Sequence, residues 1–342
     1  MTQTVDIVIL NYNTRGLLEK LLPDVIANSD YPGVNIVVAD NASTDGSADF
    51  VSENFSGVEV IRMSENTGYA GGYNECLKNR SADYFVLLNS DAVPRKNWLA
   101  PLLQMAQNNP KLAAAQPHIY DYYQPARFEY AGAGGGFIDS FGFPFCRGRI
   151  FGNVEHNHGQ YRDNRKIFWA TGAALFISRK AWEEANGLDP SFFAHMEEID
   201  LCWRLQNMGY EIWSCAESGI DHMGGGTLSN LSPRKTYLNF RNSLLMLHKN
   251  LPADKKEQVL FARKLFDGLA GVFFLLQGRP GHIPQIVKAH RDFARLRKTI
   301  EPGKKNQSLN ALPGVLHGSL VLNYFFRGRK TWNKLNIPGT AE

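Results

Sequence analysis

The feature that most constrains this chain is a strict alternation of short β-branched runs with helical stretches, sustained from Val5 to Asp91. Residues 5–10, 35–40, 58–61 and 84–88 are apolar runs of the kind buried on both faces of a parallel sheet. Between the first two, Leu17, Leu18, Leu21, Leu22 and Val25 recur at helical spacing, and residues 48–54 and 69–78 continue the pattern. Strand and helix in this order imply right-handed crossovers and a doubly wound, mostly parallel α/β sheet. Ligands of such sheets bind outside the carboxyl ends of the strands. Three polar runs fall at those ends: Asn11-Tyr12-Asn13, Asp40-Asn41-Ala42-Ser43 and Asn89-Ser90-Asp91. Their coincidence predicts a site.

Beyond residue 117 the pattern changes. Residues 118–165 are rich in Tyr, Phe and Gly and read as loops and short strands, of a length that is usually functional. Residues 168–177 read as a strand and 197–208 as a helix, and the chain after Pro233 reads as mostly helical. An apolar fraction of 44% with 20% charged residues is that of a globular protein. Cys76, Cys146, Cys202 and Cys215 show no paired spacing, which argues against a zinc cluster or disulfide framework and for a reducing, cytoplasmic setting. The N-terminal residues carry neither a basic n-region nor a long apolar stretch, so they read as neither signal peptide nor spanning helix.

The net charge of +4 conceals an asymmetry. From Leu251 onward sixteen Lys/Arg face six Asp/Glu, a balance of +10, whereas the preceding part holds 21 against 27, a balance of −6. A basic tail on an acidic body suits an anionic partner. No nucleic-acid-binding motif accompanies the charge, so the expected partner is a phospholipid surface on the inner face of the membrane rather than nucleic acid. For the structure of the tail, a helical appendage packed on the core with a solvated basic face is the favoured reading, and an interfacial anchor on anionic lipid is its alternative.

Several residues suggest chemistry. Asp40 can accept the N3–H of a uracil or thymine ring and Tyr12 can stack on it, although Asp40 to Ser47 also reads as a turn and helix cap. Asp91 can hold Mg²⁺ or Mn²⁺ against a diphosphate, since hard ions prefer oxygen ligands; a merely polar strand end is the other reading. The glycines of residues 65–74 let a backbone approach phosphate at a helix entrance, or serve a tight turn. Glu197, Glu198 and Asp200 open a helix, where the macrodipole favours acids, and Asp200 can pair with Arg204. Glu198 is the freest of the three to act as a general base. His222, in the run from Asp221 to Thr227, can ligate a metal or be an ordinary histidine; the His156/His158 pair is a weaker candidate of the same kind.

Taken in order, these pieces resemble family 2 glycosyltransferases of the GT-A fold, and within them the rhamnosyltransferase-like enzymes of cell-surface polysaccharide assembly. The resemblance runs from Asp6 to about Asn250 and includes Ala170-Thr171-Gly172-Ala173, the segment 192–202 and Arg241-Asn242. It implies a catalytic domain over residues 1–250, with a nucleotide-binding half to about 117 and an acceptor half after it, followed by a basic helical region 251–342. It implies that Asp40 binds the pyrimidine and that Asn11, Tyr12 and Asn13 line the base pocket. Asn66, Gly68, Asn74, Asn89 and Ser90 complete the nucleotide site. It further implies that Asp91 and His222 hold Mg²⁺ or Mn²⁺, that Glu198 is the base, with Glu197 and Asp200 beside it, and that Thr171, Gly172 and Ala173 face the acceptor. The first acid of the family's metal-binding DxD element is Asn89 here, and the usual Asp of its Glu-Asp pair is Glu198. The implied reaction is an inverting transfer from dTDP-rhamnose or a UDP-sugar to a glycan or lipid-linked saccharide. Two rivals are a non-catalytic sugar- or nucleotide-binding protein and a sugar nucleotidyltransferase. The latter wants a glycine-rich loop after the first strand, and none precedes Gly16.

Overall fold

The computed structural model describes residues 3–224, 232–303 and 306–338. Each apolar run of the first half is a central strand: β1 (Val5–Asn11), β2 (Val34–Asp40), β3 (Val58–Arg62) and β4 (Tyr84–Asn89). β1 pairs in parallel with β2 and β4, and β2 with β3. The crossovers are α1 (Arg15–Asn28), α2 (Ser47–Asn54) and α3 (Gly68–Leu77). Successive residues of β1 feed two cores: Ile7 and Ile9 pack with Leu18 and Leu22 of α1, whereas Val8 packs with Ala70 and Tyr73 of α3. Burying each such side chain contributes about 1.5–3 kcal/mol, which explains why the runs are apolar on both faces.

β5 (Ala92–Pro94) and α4 (Leu99–Asn108) lead to β6 (Leu112–Asp121). The Tyr- and Gly-rich stretch then folds into a second, smaller sheet of β7 (Gly136–Asp139), β8 (Pro144–Cys146), β9 (Arg149–Ile150) and β10 (Asn153–Val154). β11 (Arg165–Lys166), β12 (Ala174–Ser178), α5 (Arg179–Glu184), α6 (Glu197–Asn207) and β13 (Glu211–His222) return to the main sheet, whose order is β11-β13-β6-β12-β4-β1-β2-β3. β12 runs antiparallel to both β4 and β6, so the parallel arrangement is interrupted at the middle of the sheet. That reversal has a consequence for the site. Ala174 pairs with Leu88, which brings the residues just before β12 to the edge where β1, β2 and β4 end.

Two stretches differ from the sequence expectation. Residues 168–173 are not strand, because the Thr171 hydroxyl bonds Ala131 O and accepts from Ala173 N, which turns the backbone. The C-terminal region begins as expected with helices α7 (Pro233–Asn250), α8 (Ala253–Leu276) and α9 (Ile283–Leu296). It then becomes irregular and adds β14 (Val315–Leu316), which pairs with β7. Trp332 packs edge-on against Phe137 with ring centroids 4.4 Å apart, and Leu309, Leu312 and Leu320 share the core of the second sheet. Residues 309–337 thus complete the body rather than hang from it. At Gly314 (φ 77°) a Cβ would lie 2.3 Å from Phe168 N, so only glycine admits this approach.

Candidate active site

The strand ends converge as the alternation predicts. Asn11, at the end of β1, is fully buried, and its amide faces Asp40 Oδ1 (2.8 Å), Ser43 Oγ (3.0 Å) and Ser47 Oγ (2.7 Å). Asp40 Oδ2 accepts from Ser43 N at 3.1 Å. Asn13, with φ at 53°, accepts from Thr44 N at 2.7 Å and so ties the β1 loop to the β2 loop. The result is a preorganised polar network at the strand ends, followed directly in the chain by Tyr12, whose ring is exposed. Asn66 accepts from Gly68 N and from the Asn41 amide. Gly68 has φ at 76°, and a Cβ there would lie 2.6 Å from Phe193. Asn74 lies elsewhere: it donates to Leu188 O (2.7 Å) and accepts from Leu188 N (3.0 Å), stapling α3 to the turn before α6.

At the end of β4, Asn89 is half-buried while Ser90 and Asp91 are buried, and Asn89 N donates to Ala173 O. Asp91 Oδ1 lies 2.9 Å from His222 Nε2, and Glu129 Oε2 lies 3.0 Å from His222 Nδ1. Burial opposes charge on this ring, but the two carboxylates outweigh it and raise its pKa to about 10. The donor set suits a divalent ion that displaces the Nε2 proton: one carboxylate, one imidazole, and a second carboxylate that fixes the ring through its other nitrogen. Asp91 and His222 would supply two ligands, and among the described residues no three His, Cys, Asp or Glu side chains are grouped to hold a metal by themselves. Gly225, Gly226 and Thr227, in the same run as His222, lie outside the described residues. Glu129 escaped sequence reasoning because it sits in the irregular stretch, where no periodicity singles it out.

The acidic cluster divides in three. Asp200 is fully buried and saturated, accepting from Arg204 Nε (2.8 Å), Lys249 Nζ (2.9 Å) and Asn250 Nδ2 (2.7 Å). It fastens α6 to α7 and is closed off from the surface. Glu197 is buried and makes no ion pair among the described residues; burial and the neighbouring Glu198 charge push its pKa well above the usual range. Glu198 is half-buried, and burial raises its pKa to about 7 despite the opposing backbone N–H groups of the helix start. Glu198 Oε2 meets no protein hydrogen-bond partner among the described residues. A carboxylate poised near pH 7 with an unengaged oxygen has the properties of a general base.

What holds this pair in place is a segment that backbone energetics disfavour. Phe193, His195 and Met196 all have positive φ (65°, 69° and 73°), a conformation that costs non-glycine residues stability and persists only when the surroundings impose it. Here Asn242 imposes it. This fully buried amide on α7 faces the carbonyls of Phe192 (2.9 Å), Ala194 (2.8 Å) and His195 (2.7 Å), while Arg241 donates to those of Ser191 and Phe192. From the other side Tyr69 N and Ala70 N, at the start of α3, donate to Phe193 O. The Arg241-Asn242 pair was visible in the sequence, but its task became legible only with the loop's geometry.

Tyr69 joins the acids to the proposed acceptor segment. Its hydroxyl donates to Gly172 O at 2.6 Å, and burial, Tyr73 and the charges of Glu197 and Glu198 raise its pKa. Thr171 and Ala173 are buried, and Gly172 alone of the three is partly open. A Cβ on Gly172 would lie 2.7 Å from Tyr69 Oη.

Comparison with known proteins shows the family and the fold. The model of the family described as Glycosyl transferase family 2 matches residues 6–185. A Mycobacterium tuberculosis protein, N-acetylglucosaminyl-diphospho-decaprenol L-rhamnosyltransferase, is 25% identical over 225 residues, covering 61% of this chain and 73% of that protein. The low-salt glycan biosynthesis hexosyltransferase Agl10 of Haloferax volcanii is 24% identical over 251 residues, covering 72% and 76%. Among solved structures, GalNAc-T7 with UDP, GalNAc and Mn²⁺ superposes with a TM-score of 0.59 at 15% identity, covering 85% of this chain and 54% of that one. The Pyrobaculum calidifontis mannosyltransferase PcManGT, in complex with GDP-Man and Mn²⁺, has a TM-score of 0.53 at 16% identity, covering 87% and 79%.

Proposed function

As the chain belongs to glycosyl transferase family 2 and is a glycosyltransferase, we propose that it transfers a sugar, with inversion, from a pyrimidine nucleoside-diphosphate donor to a lipid-linked saccharide. The donor is dTDP-rhamnose or a UDP-sugar, and the reaction belongs to cell-surface polysaccharide assembly at the inner face of the membrane. The observation that carries this reading is Glu198, half-buried and with a pKa near 7, in the first turn of α6 and close enough to Tyr69 for its charge to act on that hydroxyl. The rhamnosyl donor and lipid-linked acceptor are supported by the name of the mycobacterial relative. The pyrimidine preference rests on Asp40 at the end of β2 and on the exposed ring of Tyr12 just after β1.

Glu198 takes the proton from an acceptor hydroxyl, whose oxygen attacks the anomeric carbon from the face opposite the nucleotide. The C–O bond to the diphosphate breaks and the nucleoside diphosphate leaves. Burial and the Glu198 charge disfavour ionisation of Glu197, which favours Glu198 as the member of the pair that carries the negative charge. Asp91 and His222 would hold Mg²⁺ or Mn²⁺, which offsets charge on the departing diphosphate. Glu129 fixes the ring of His222 through Nδ1. Asn242 and Arg241 keep the 192–196 loop in the geometry that presents Glu198, and Tyr69 couples it to Gly172.

The test is a set of three isosteric variants assayed for turnover and donor affinity, with the product's anomeric configuration read by NMR. Glu198→Gln should lose about 10²–10⁴ in turnover with donor affinity nearly unchanged. An active Glu198→Gln beside a dead Glu197→Gln or Asp200→Asn that still folds would overturn the assignment, and a retained configuration would overturn the mechanism.

A further inference from the structure

Helix α8 packs on the body through Leu260, which is buried, and Phe266, whose ring meets Phe141 and Phe143. Its inward side also carries charge: Arg263 (5% exposed) donates to Asp267 (1%) at 2.9 Å and to Gly142 O at 3.0 Å, and His290 closes on the other Asp267 oxygen at 3.0 Å. Its outward side is apolar. Phe261, Leu265, Leu269, Val272 and Leu276 fall at intervals of four, four, three and four residues, a single stripe roughly 22 Å long. All five are exposed, Leu276 to 80%. The short π-helical turn 322–326 extends the stripe, for the Phe325 ring lies 5.8 Å from that of Phe273 and Phe326 is 78% exposed. Isolated exposed side chains are ordinary, but a contiguous patch of this kind marks an interaction surface.

Charge identifies the occupant. Between Phe261 and Lys298 there are only two carboxylates, and neither faces out freely: Asp267 is buried, and Asp292 is taken by Tyr237, Arg291 and Arg295. Lys264, Arg279, Lys288 and Arg295 are exposed in the same stretch. Arg327 and Lys330 follow the π-helical turn, and no Asp or Glu occurs between Glu301 and Glu342. A second copy laid on this face would bring one cationic rim against another. An anionic membrane surface instead takes the apolar stripe at its acyl boundary and the cations among its headgroups. Among the described residues no helix is long and apolar enough to cross a membrane, so α8 would lie on one. We propose that the outer face of α8, with residues 322–326, docks the protein on anionic lipid. The proposal deepens the reading of a lipid-linked acceptor and rests on it for its purpose. α7 packs against both α6, which carries Glu198, and α8, and so connects the docking face to the base.

The experiment is co-sedimentation of the full chain with phosphatidylglycerol vesicles and with phosphatidylcholine vesicles, at low and high salt, without donor or acceptor. Binding to the anionic vesicles should exceed that to neutral ones at least about tenfold and fall with salt. Leu265→Glu/Leu269→Glu and, independently, Phe325→Ser/Phe326→Ser should each lower it by a similar factor while keeping wild-type melting temperature and nucleotide binding. Wild-type protein that stays in the supernatant with anionic vesicles at low salt overturns the proposal. So does a dimer in sedimentation velocity that the Leu265→Glu/Leu269→Glu variant abolishes, in the absence of vesicle binding. Vesicle binding by a protein that transfers no sugar would uphold the docking surface and count against the lipid-linked substrate instead.

Discussion

The two ends of the site are built on opposite principles. Around Asp40 the described polar groups are hydrogen-bonded to one another, so that Asn11, Ser43, Ser47 and the carboxylate form a closed network. Around Glu198 one carboxyl oxygen of each member of an adjacent acid pair lacks a protein donor among the described residues, and the loop before them holds three residues at positive φ. A nucleotide pocket gains from rigidity alone, because it must hold a ground-state ligand. A base gains from desolvation, which raises its pKa toward the working pH at the expense of stability. The Asp91–His222–Glu129 chain stands between these cases: it is joined by its own ion pairs, and on the proposed function a cation would exchange for the Nε2 proton.

This contrast orders the expected effects. Chelation comes first: with excess EDTA, transfer should fall to background and return with Mn²⁺ or Mg²⁺. Undiminished transfer in EDTA would mean that the His222 ion pair, rather than a metal, balances the diphosphate. Next is the clamp. Asn242→Ala removes the donor from three carbonyls, and Asn242→Asp keeps the shape but supplies acceptors in place of the amide's N–H donors. Both should lower kcat at least about tenfold with KM for the donor little changed, and each should lose about 2–4 kcal/mol in urea unfolding. A loss confined to stability, with kcat intact under folding conditions, would reduce the clamp to a packing element. The smallest effect belongs to the closed network. Asp40→Ala should weaken UDP or dTDP binding about tenfold by calorimetry, while GDP binds the wild type poorly. Tight GDP binding would remove the pyrimidine preference.

The same contrast explains what the sequence made legible. The parallel strands, their crossovers and the polar runs at their ends follow from local periodicity, and Asn11, Asp40 and Asp91 lie where that periodicity puts them. Asp200 pairs with Arg204 as its i, i+4 spacing suggests, but its bonds to Lys249 and Asn250 join two helices across 50 residues of sequence, and no local pattern encodes them. Asn74 looks like part of the glycine-rich phosphate stretch and instead staples a turn 114 residues away. Glu129 reaches His222 across 93 residues from a stretch without regular spacing. β14 joins the second sheet from a region whose composition signals only helix and charge. In each case the missing information is a long-range contact made by a polar group.

The most direct test of the central claim is the pH dependence of kcat/KM for wild type and Glu198→Gln. Because the base must be ionised, activity should rise with pH along a limb centred near 7, more than two units above an unperturbed glutamate, and that limb should be absent from the residual activity of Glu198→Gln. A limb near pH 4–5, or one that survives intact in Glu198→Gln, would contradict the assignment of Glu198 as the base.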